Sequence, residues 1–329
     1  MADLQPRPID GTANQPTSPV VRDHASARPI PNLHDIDLKL LRIFYAVGRN
    51  SGFAPAQVEL NIALSSISDA ISRLESRFGV TLCERGRSGF RLTQNGKEIF
   101  DATCRLFQDI DFFRGRVANT RNELTGRVHL GIVDGIATLD NLTLLDALEG
   151  LEKEAPLVTL EMKVDTPQSL IGGVQNGRFD AVVIPMFRKV SGVDAIPLRP
   201  LVRQVLYCGQ RHKLYGLSDE EISAVDIEKT SFAARRHMEG WLFPGNLDYN
   251  NRAWTNDMEC LATLILTGRY IGYLPEPLAR VWVDRGQMRA IWPGKLSYVA
   301  ELFFVTQSSD VSNATLLLKE KLTTALAAV

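Results

Sequence analysis

The chain has 329 residues, 45% of them hydrophobic and 23% charged, which fits a soluble globular protein and exceeds one typical core, so two or more domains are expected. Its 37 Lys plus Arg against 38 Asp plus Glu exclude a protein dominated by nonspecific polyanion binding, while leaving room for a small basic module. No apolar run approaches the roughly eighteen residues that span a bilayer, and the N-terminus carries no signal-peptide core. Cys83, Cys104, Cys208 and Cys260 are scattered through apolar neighbourhoods without Cys-x-x-Cys spacing, as expected of reduced thiols in a cytosolic protein.

Residues 1–33 hold Pro6, Pro8, Pro16, Pro19, Pro29 and Pro31 among polar residues and are expected to be a disordered tail, the alternative being a partner-binding arm. A first domain is expected over 34–93. Asp37 is the expected N-cap of its first helix, whose apolar face of Leu38, Leu41, Phe44, Tyr45 and Val47 ends near Gly48. After the Ser51-Gly52 turn, Pro55 suits the first turn of a second helix, with Val58 and Leu60 packing back on the first. Asn61-Ile62-Ala63 forms a corner. In the third helix Ile67, Ile71, Leu74 and Phe78 recur at helical spacing as a buried face, leaving Ser65, Asp69, Ser72 and Ser76 outside with Arg73 beside them. Small polar groups on the free side of a supported helix suit close approach to a DNA major groove, and equally an ordinary solvated face.

Val80 to Cys83 and Gly89 to Leu92 are short strand candidates around a cationic turn, Glu84 to Ser88. This hairpin would be a wing, with Arg85, Arg87 and Arg91 on DNA phosphates. Across the module, Lys39, Arg42, Arg49, Arg73, Arg77, Arg85, Arg87 and Arg91 slightly outnumber Asp35, Asp37, Glu59, Asp69, Glu75 and Glu84. Thr93 caps a long linker helix over 94–124, whose Ile99, Thr103, Leu106, Ile110, Phe113, Val117, Thr120 and Leu124 alternate spacings of four and three, the seam of a coiled coil. Such a seam wants a partner, and packing on its own chain is the alternative.

From about residue 125 strands alternate with helices. Strands are expected at Arg127–Val133, Val158–Val164, Asp180–Ile184, Gln204–Tyr207, Tyr270–Leu274 and Glu301–Thr306. Helices are expected at Leu142–Lys153, Pro167–Asn176, Met258–Leu266 and Leu316–Leu326. The alternation implies a largely parallel sheet covered on both faces over 125–329. No Gly-x-x-x-x-Gly-Lys loop, Gly-x-Ser-x-Gly elbow or metal-ligand spacing among the histidines is present, which argues against an enzyme and for no catalytic residue, cofactor or metal. His212 and His237 are read as lone surface groups.

This order of parts resembles the LysR-type transcriptional regulators from residue 35 onward. Phe53, Ala56, Leu60, Ser68, Ile71, Leu74, Glu75, Gly79, Leu82, Arg85, Leu92, Thr93 and Gly96 stand where the family has these residue types. So, more loosely, do Gly126-Arg127, the run from Gly177 to Val183 and the run from Gly268 to Pro275. The resemblance implies an N-terminal winged helix-turn-helix, a dimerising linker helix and a C-terminal two-lobed α/β effector domain like periplasmic binding proteins. It implies a DNA-reading set of Ser65, Ser66, Ser68, Asp69, Ser72, Arg73, Arg85, Arg87 and Arg91.

For a small-molecule effector it implies Gly135, Thr138, Thr166, Pro167, Tyr207, Arg235, Thr255 and Asn256, with Ile184 at the hinge where the chain crosses between lobes. Thr166 also reads as a plain helix cap. Arg235 and Arg236 are either an anion site or a solvated pair. Departures from the family pattern are Gln57 for a second Ala, and Ala63, Leu64 and Ser65 where Ser, Gln and Pro are common. Asp69 replaces a frequent basic residue, and either pairs with Arg73 one turn on or accepts from cytosine. Asp134 stands in a loop that often carries an uncharged hydroxyl. The implied partners are double-stranded DNA, an effector of unknown identity, RNA polymerase and further copies of the chain as homodimer or homotetramer, in the cytoplasm. A constitutive regulator without ligand is the alternative.

Overall fold

The computed structural model describes residues 32–86, 89–119, 124–140, 142–186, 190–309 and 311–327; the tail expected over 1–33 lies almost wholly outside them. The first module is built from α1 (Asp35–Arg49), α2 (Phe53–Leu60) and α3 (Leu64–Phe78). Helix α1 starts two residues before the expected cap. His34 is its N-cap, and Asp37, in the third helical position, accepts the His34 amide at 2.9 Å and is fully buried. Leu40, Leu41, Phe44 and Val47 meet Ile67, Ala70, Ile71 and Leu74 of α3 in one core. Of α2, Ala56 reaches that core while Val58, expected to pack inward, is 83% exposed.

The wing is β1 (Cys83–Gly86) paired antiparallel with β2 (Gly89–Leu92). Its first strand begins later than residue 80 because Glu75 Oε1 takes the Leu82 and Cys83 amides at 2.7 and 3.1 Å. Helix α4 (Gln94–Asn119) follows, capped by Thr93, whose Oγ1 accepts from Gly96 N at 2.8 Å and donates to Thr81 O at 2.6 Å. Its Phe100 lies edge-on to Phe44 and stacked on Tyr45, both at 6.0 Å between ring centres, so the first turns of the linker helix belong to the module's core.

The remainder forms two lobes. In the first, β3 (Thr125–Ile132), α5 (Thr143–Glu154), β4 (Leu157–Val164), α6 (Pro167–Gln175), β5 (Ala181–Pro185) and β6 (Val193–Pro197) lead out; β13 (Leu302–Gln307) and α10 (Asn313–Ala327) return. The sheet order is β4-β3-β5-β13-β6. Strands β3, β4 and β5 run parallel, as expected, but β13 enters antiparallel between β5 and β6. The second lobe holds β7 (Val202–Gly209), α7 (Ala224–Glu228), β8 (Ser231–Arg235), β9 (Asn250–Thr255), α8 (Met258–Leu266), β10 (Ile271–Pro275), α9 (Glu276–Val283), β11 (Met288–Ala290) and β12 (Ser297–Ala300). Its order is β11-β7-β10-β8-β9, with β12 also on β7. Side chains alternate along β7: Val205 and Tyr207 pack with Leu261 and Ile265 of α8, while Leu206 and Cys208 join the aromatic core of Phe232, Tyr249 and Tyr273.

The crossings between lobes correct the hinge assigned to Ile184. Strand β6 still pairs with β13 in the first lobe, so the chain leaves it at residues 198–201 and returns at Glu301, between β12 and β13. Among the described residues no helix is long and apolar enough to cross a membrane.

Gly96 sits against the Leu82 carbonyl, with which a Cβ would collide, and that carbonyl also accepts the Thr93 amide at 3.0 Å. Gly96→Ala is therefore expected to destabilise the chain by about 1–3 kcal/mol, seen as a lower urea midpoint of the unfolding transition that includes α1 to α4.

Candidate DNA-reading face and interlobe cleft

The corner between α2 and α3 turns at Asn61, in the left-handed region with φ 51°, and the N-cap of α3, Ala63, supplies no side-chain hydrogen bond. With Ile67, Ala70, Ile71 and Leu74 buried, the helix presents Ser65, Ser66, Asp69, Ser72 and Arg73 to solvent, and Ser68 at the margin. The expected pair between Asp69 and Arg73 does not form: neither takes part in an ion pair among the described residues. Both charges are therefore available to a partner. On the wing, Arg91 is exposed but held by Glu84 across the hairpin, at 3.1 Å from Nε and 2.5 Å from a terminal nitrogen. The Arg85 side chain and Arg87 lie outside the described residues.

The second feature is a narrow cleft where the lobes meet, the kind of boundary at which small-molecule sites form. Its walls are mostly apolar: Val133, Ile136 and Leu139 from the first lobe, and Val202, Met258 and Leu302 beside the crossings and α8. Among the described residues three polar side chains line it. Asp134, just after β3, accepts the backbone N–H of Met258 at the start of α8, so one carboxylate of the first lobe holds a helix N-terminus of the second. Burial pushes its pKa up, against the lowering pull of that amide and of Arg235. Arg235, at the end of β8, is 6% exposed. It contacts Met238 Sδ at 3.7 Å and the Tyr298 hydroxyl, and makes no ion pair among the described residues. Gln204, 2% exposed on β7, has a side-chain oxygen without a hydrogen-bond partner.

Gly135 and Arg235 are thus the two expected effector residues that line the cleft. Thr138 closes a turn onto Gly135 O at 2.7 Å. Thr166 caps α6, accepting from Ser169 N at 3.4 Å, with Pro167 in the first turn. Ile184 is buried in the first-lobe core and Tyr207 in the second, on the face of β7 away from Gln204. Thr255 and the exposed Asn256 lie at the entrance of α8, next to its cap Asp257. Among the lining residues outside the expected effector set are Gln204 and Met258, for which the sequence offers no signal, and Asp134, which the break of pattern in its loop already marks.

The histidines differ from the surface reading. His212 is buried and its Nδ1 accepts from Leu214 N at 3.1 Å. Both ring nitrogens of His237 are buried without partners, and burial, aided by Arg235, lowers its pKa to about 4. Cys260 is exposed, the other three cysteines buried. Among the described residues no group of three His, Cys, Asp or Glu could hold a metal ion.

A helix-turn-helix with a wing, a long helix and two α/β lobes closed on a partly polar cleft define the class of effector-responsive, DNA-binding regulators. Residues 38–97 match the model of the bacterial regulatory helix-turn-helix protein of the lysR family, and residues 121–327 match that of the LysR substrate binding domain. The chain belongs to the LysR family of transcriptional regulators. The HTH-type transcriptional activator BauR of Pseudomonas aeruginosa is 34% identical over 292 residues, spanning 86% of this chain and 92% of that protein. Two solved structures share the fold. Full-length CbnR complexed with its target DNA has a TM-score of 0.54 at 14% identity, covering 88% of this chain and 99% of that one. The full-length Vibrio cholerae virulence activator AphB has a TM-score of 0.52 at 13% identity, covering 87% and 98%. These relatives are regulators and not enzymes.

His237 supplies a pH dependence. Its folded pKa of about 4 lies below the ordinary value of 6.5, so the unfolded chain binds the extra proton, and stability present above about pH 6.5 is lost as pH falls toward about 4. His237→Gln is expected to flatten this decline, measured as urea midpoints between about pH 7 and about pH 4.5.

Proposed function

We propose that the chain acts in the cytoplasm as a homodimer or homotetramer that reads operator DNA through α3 and the wing, and whose activity is set by a small effector in the interlobe cleft. The observation that carries the DNA reading is the asymmetry of α3: one face is sealed into the core, and the other offers small hydroxyls, one carboxylate and one guanidinium at the surface. In that role Ser65, Ser66, Ser68, Asp69, Ser72 and Arg73 address base edges, while Arg85, Arg87 and Arg91 meet phosphates and set register. The α4 seam supports the oligomer. Phe113 and Val117 are 67% and 45% exposed, in the part of the helix beyond its packing on α1, and a second copy of the helix would cover them. Two such modules on a symmetric pair would read half-sites about one helical turn or a multiple apart. Because BauR is named an activator, RNA polymerase is the further partner this reading assigns. Chromosome-wide mapping of bound sites, followed by mobility shifts on the sites found, tests it.

Two variants separate base reading from phosphate contact. Ser65→Ala with Ser72→Ala is expected to lower affinity for the operator more than for random DNA; equal losses on both would remove the serines from base recognition. Glu84→Gln frees Arg91 and is expected to strengthen binding to all sequences alike and steepen the salt dependence by about one in the log–log slope, read from titrations at several salt concentrations.

A further inference from the structure

The cleft carries more information than its location. A buried guanidinium is costly unless an anion compensates it, and the polar contacts of Arg235 are a thioether and a phenol. Among the described residues, the one carboxylate that lines the cleft, Asp134, is near enough to be felt electrostatically but is spent on the Met258 amide. The pocket thus has a positive group in want of an anion on the second lobe. On the first lobe it has the Asp134 carboxylate, which accepts the Met258 amide and its own backbone N–H, and at the base of β7 lies the unpartnered oxygen of Gln204. Donors and acceptors are segregated. A ligand bearing only a carboxylate would satisfy Arg235 and meet repulsion from Asp134; one bearing only an ammonium would satisfy Asp134 and leave Arg235 bare. The walls between them, Val133, Ile136, Val202 and Leu302, are apolar and suit a short hydrocarbon spacer.

We propose that the effector is a small zwitterion, an amino carboxylate, whose carboxylate pairs with Arg235 of the second lobe and whose ammonium pairs with Asp134 and the Gln204 oxygen. This rests on the reading of the cleft as the effector site and adds its chemical class. It also gives the ligand a mechanical role. The two charges of one small molecule join residues of different lobes, so binding favours the closed arrangement by the difference in affinity between closed and open lobes. The carboxylate of Asp134 becomes easier to ionise when an ammonium is bound, which offsets its burial.

The test uses the full-length chain, with thermal shift and calorimetric titration against glycine, L-alanine, γ-aminobutyrate and ε-aminocaproate. The matched carboxylates acetate, propionate, butyrate and caproate, and the matched alkyl amines, serve as single-charge probes. At least one amino carboxylate is expected to bind about ten-fold or more tightly than both of its single-charge counterparts. Arg235→Met is expected to weaken that binding by about 30-fold or more, and Asp134→Asn to bring the zwitterion and its matched carboxylate to similar affinity, each variant retaining a cooperative melt. A carboxylate that equals its amino counterpart in the parent chain, with Arg235→Met abolishing both, overturns the zwitterion while leaving the cleft as the effector site. A ligand bound equally by the parent chain and both variants overturns the cleft reading and the proposal with it. Silence from the whole panel in the parent chain overturns the zwitterion alone.

Discussion

One backbone amide crosses the cleft between the two lobes. Their apolar cores meet at the crossings, where Val202 of β7 and Ala300 and Tyr298 of β12 pack on the first-lobe cluster, and among the described residues the chain passes between the lobes at residues 198–201 and at Glu301. Besides those strands of chain, Asp134 on the Met258 N–H and the exposed pair of Arg280 with Asp140 at 3.6 Å join the two sides. The exposed pair contributes little. The Asp134 contact is charge-assisted and falls at a helix N-terminus already served by its own cap, Asp257, which accepts from Cys260 N at 2.7 Å. It combines hydrogen bonding with the helix dipole. A ligand biases such a closure only by as much as its affinity differs between the two lobe arrangements.

The first lobe is also the part of the chain that touches the DNA-binding module. Arg49, at the end of α1, reaches Glu59 of α2 at 2.9 Å and Glu161 of β4 at 2.8 Å. Glu161 also meets Arg127 at 3.0 Å. A second contact joins Asp101 of α4 to Asn176, just after α6, at 2.6 Å. These are polar, partly exposed bonds in place of a shared apolar core. Contacts of this kind break and re-form at low cost, as in interfaces between domains that move. The first lobe is the base to which the helix-turn-helix is tied, and the second lobe is the part that a cleft ligand would draw against it.

The helical periodicity of α3 and the alternation of helix and strand after residue 125 were legible because burial imposes them directly on the sequence. Met258–Leu266 matches α8 to the residue, since its cap and its apolar stripe coincide. What escaped was set by long-range bonds. The start of β1 depends on amides captured by Glu75, eight residues back at most, and no local pattern encodes a side chain taking a strand's first donors. The hinge was misplaced because β6, Val193–Pro197, is short and broken by exposed residues at Asp194 and Ala195, so the run ending at Ile184 looked like the last strand of its lobe. Gln204 reads in sequence as any polar residue at a strand start. Only the closing of Asp134 on α8 makes it part of a site. Arg235 was legible as a charge, but its burial among Met238 and Tyr298 was not, and that burial changes a solvated cation into one that needs a partner.

The last turn of α3 shows how the same logic orients the exposed face of that helix. Glu75 points toward the wing and accepts both amides that begin β1. Two residues on, Arg77 turns the other way and donates to the buried Asp37 carboxylate at 2.6 Å. Asp37 in turn accepts the amide of the α1 cap. One turn of helix therefore fixes α3 to the wing on one side and to α1 on the other, by ionised hydrogen bonds whose geometry is directional where apolar packing is not. At its N-terminal end α3 lacks a side-chain cap at Ala63 and is held by Ile67, which is fully buried in the module's core. The helix is thus fixed by polar bonds at its C-terminal end and by apolar burial at its N-terminal end.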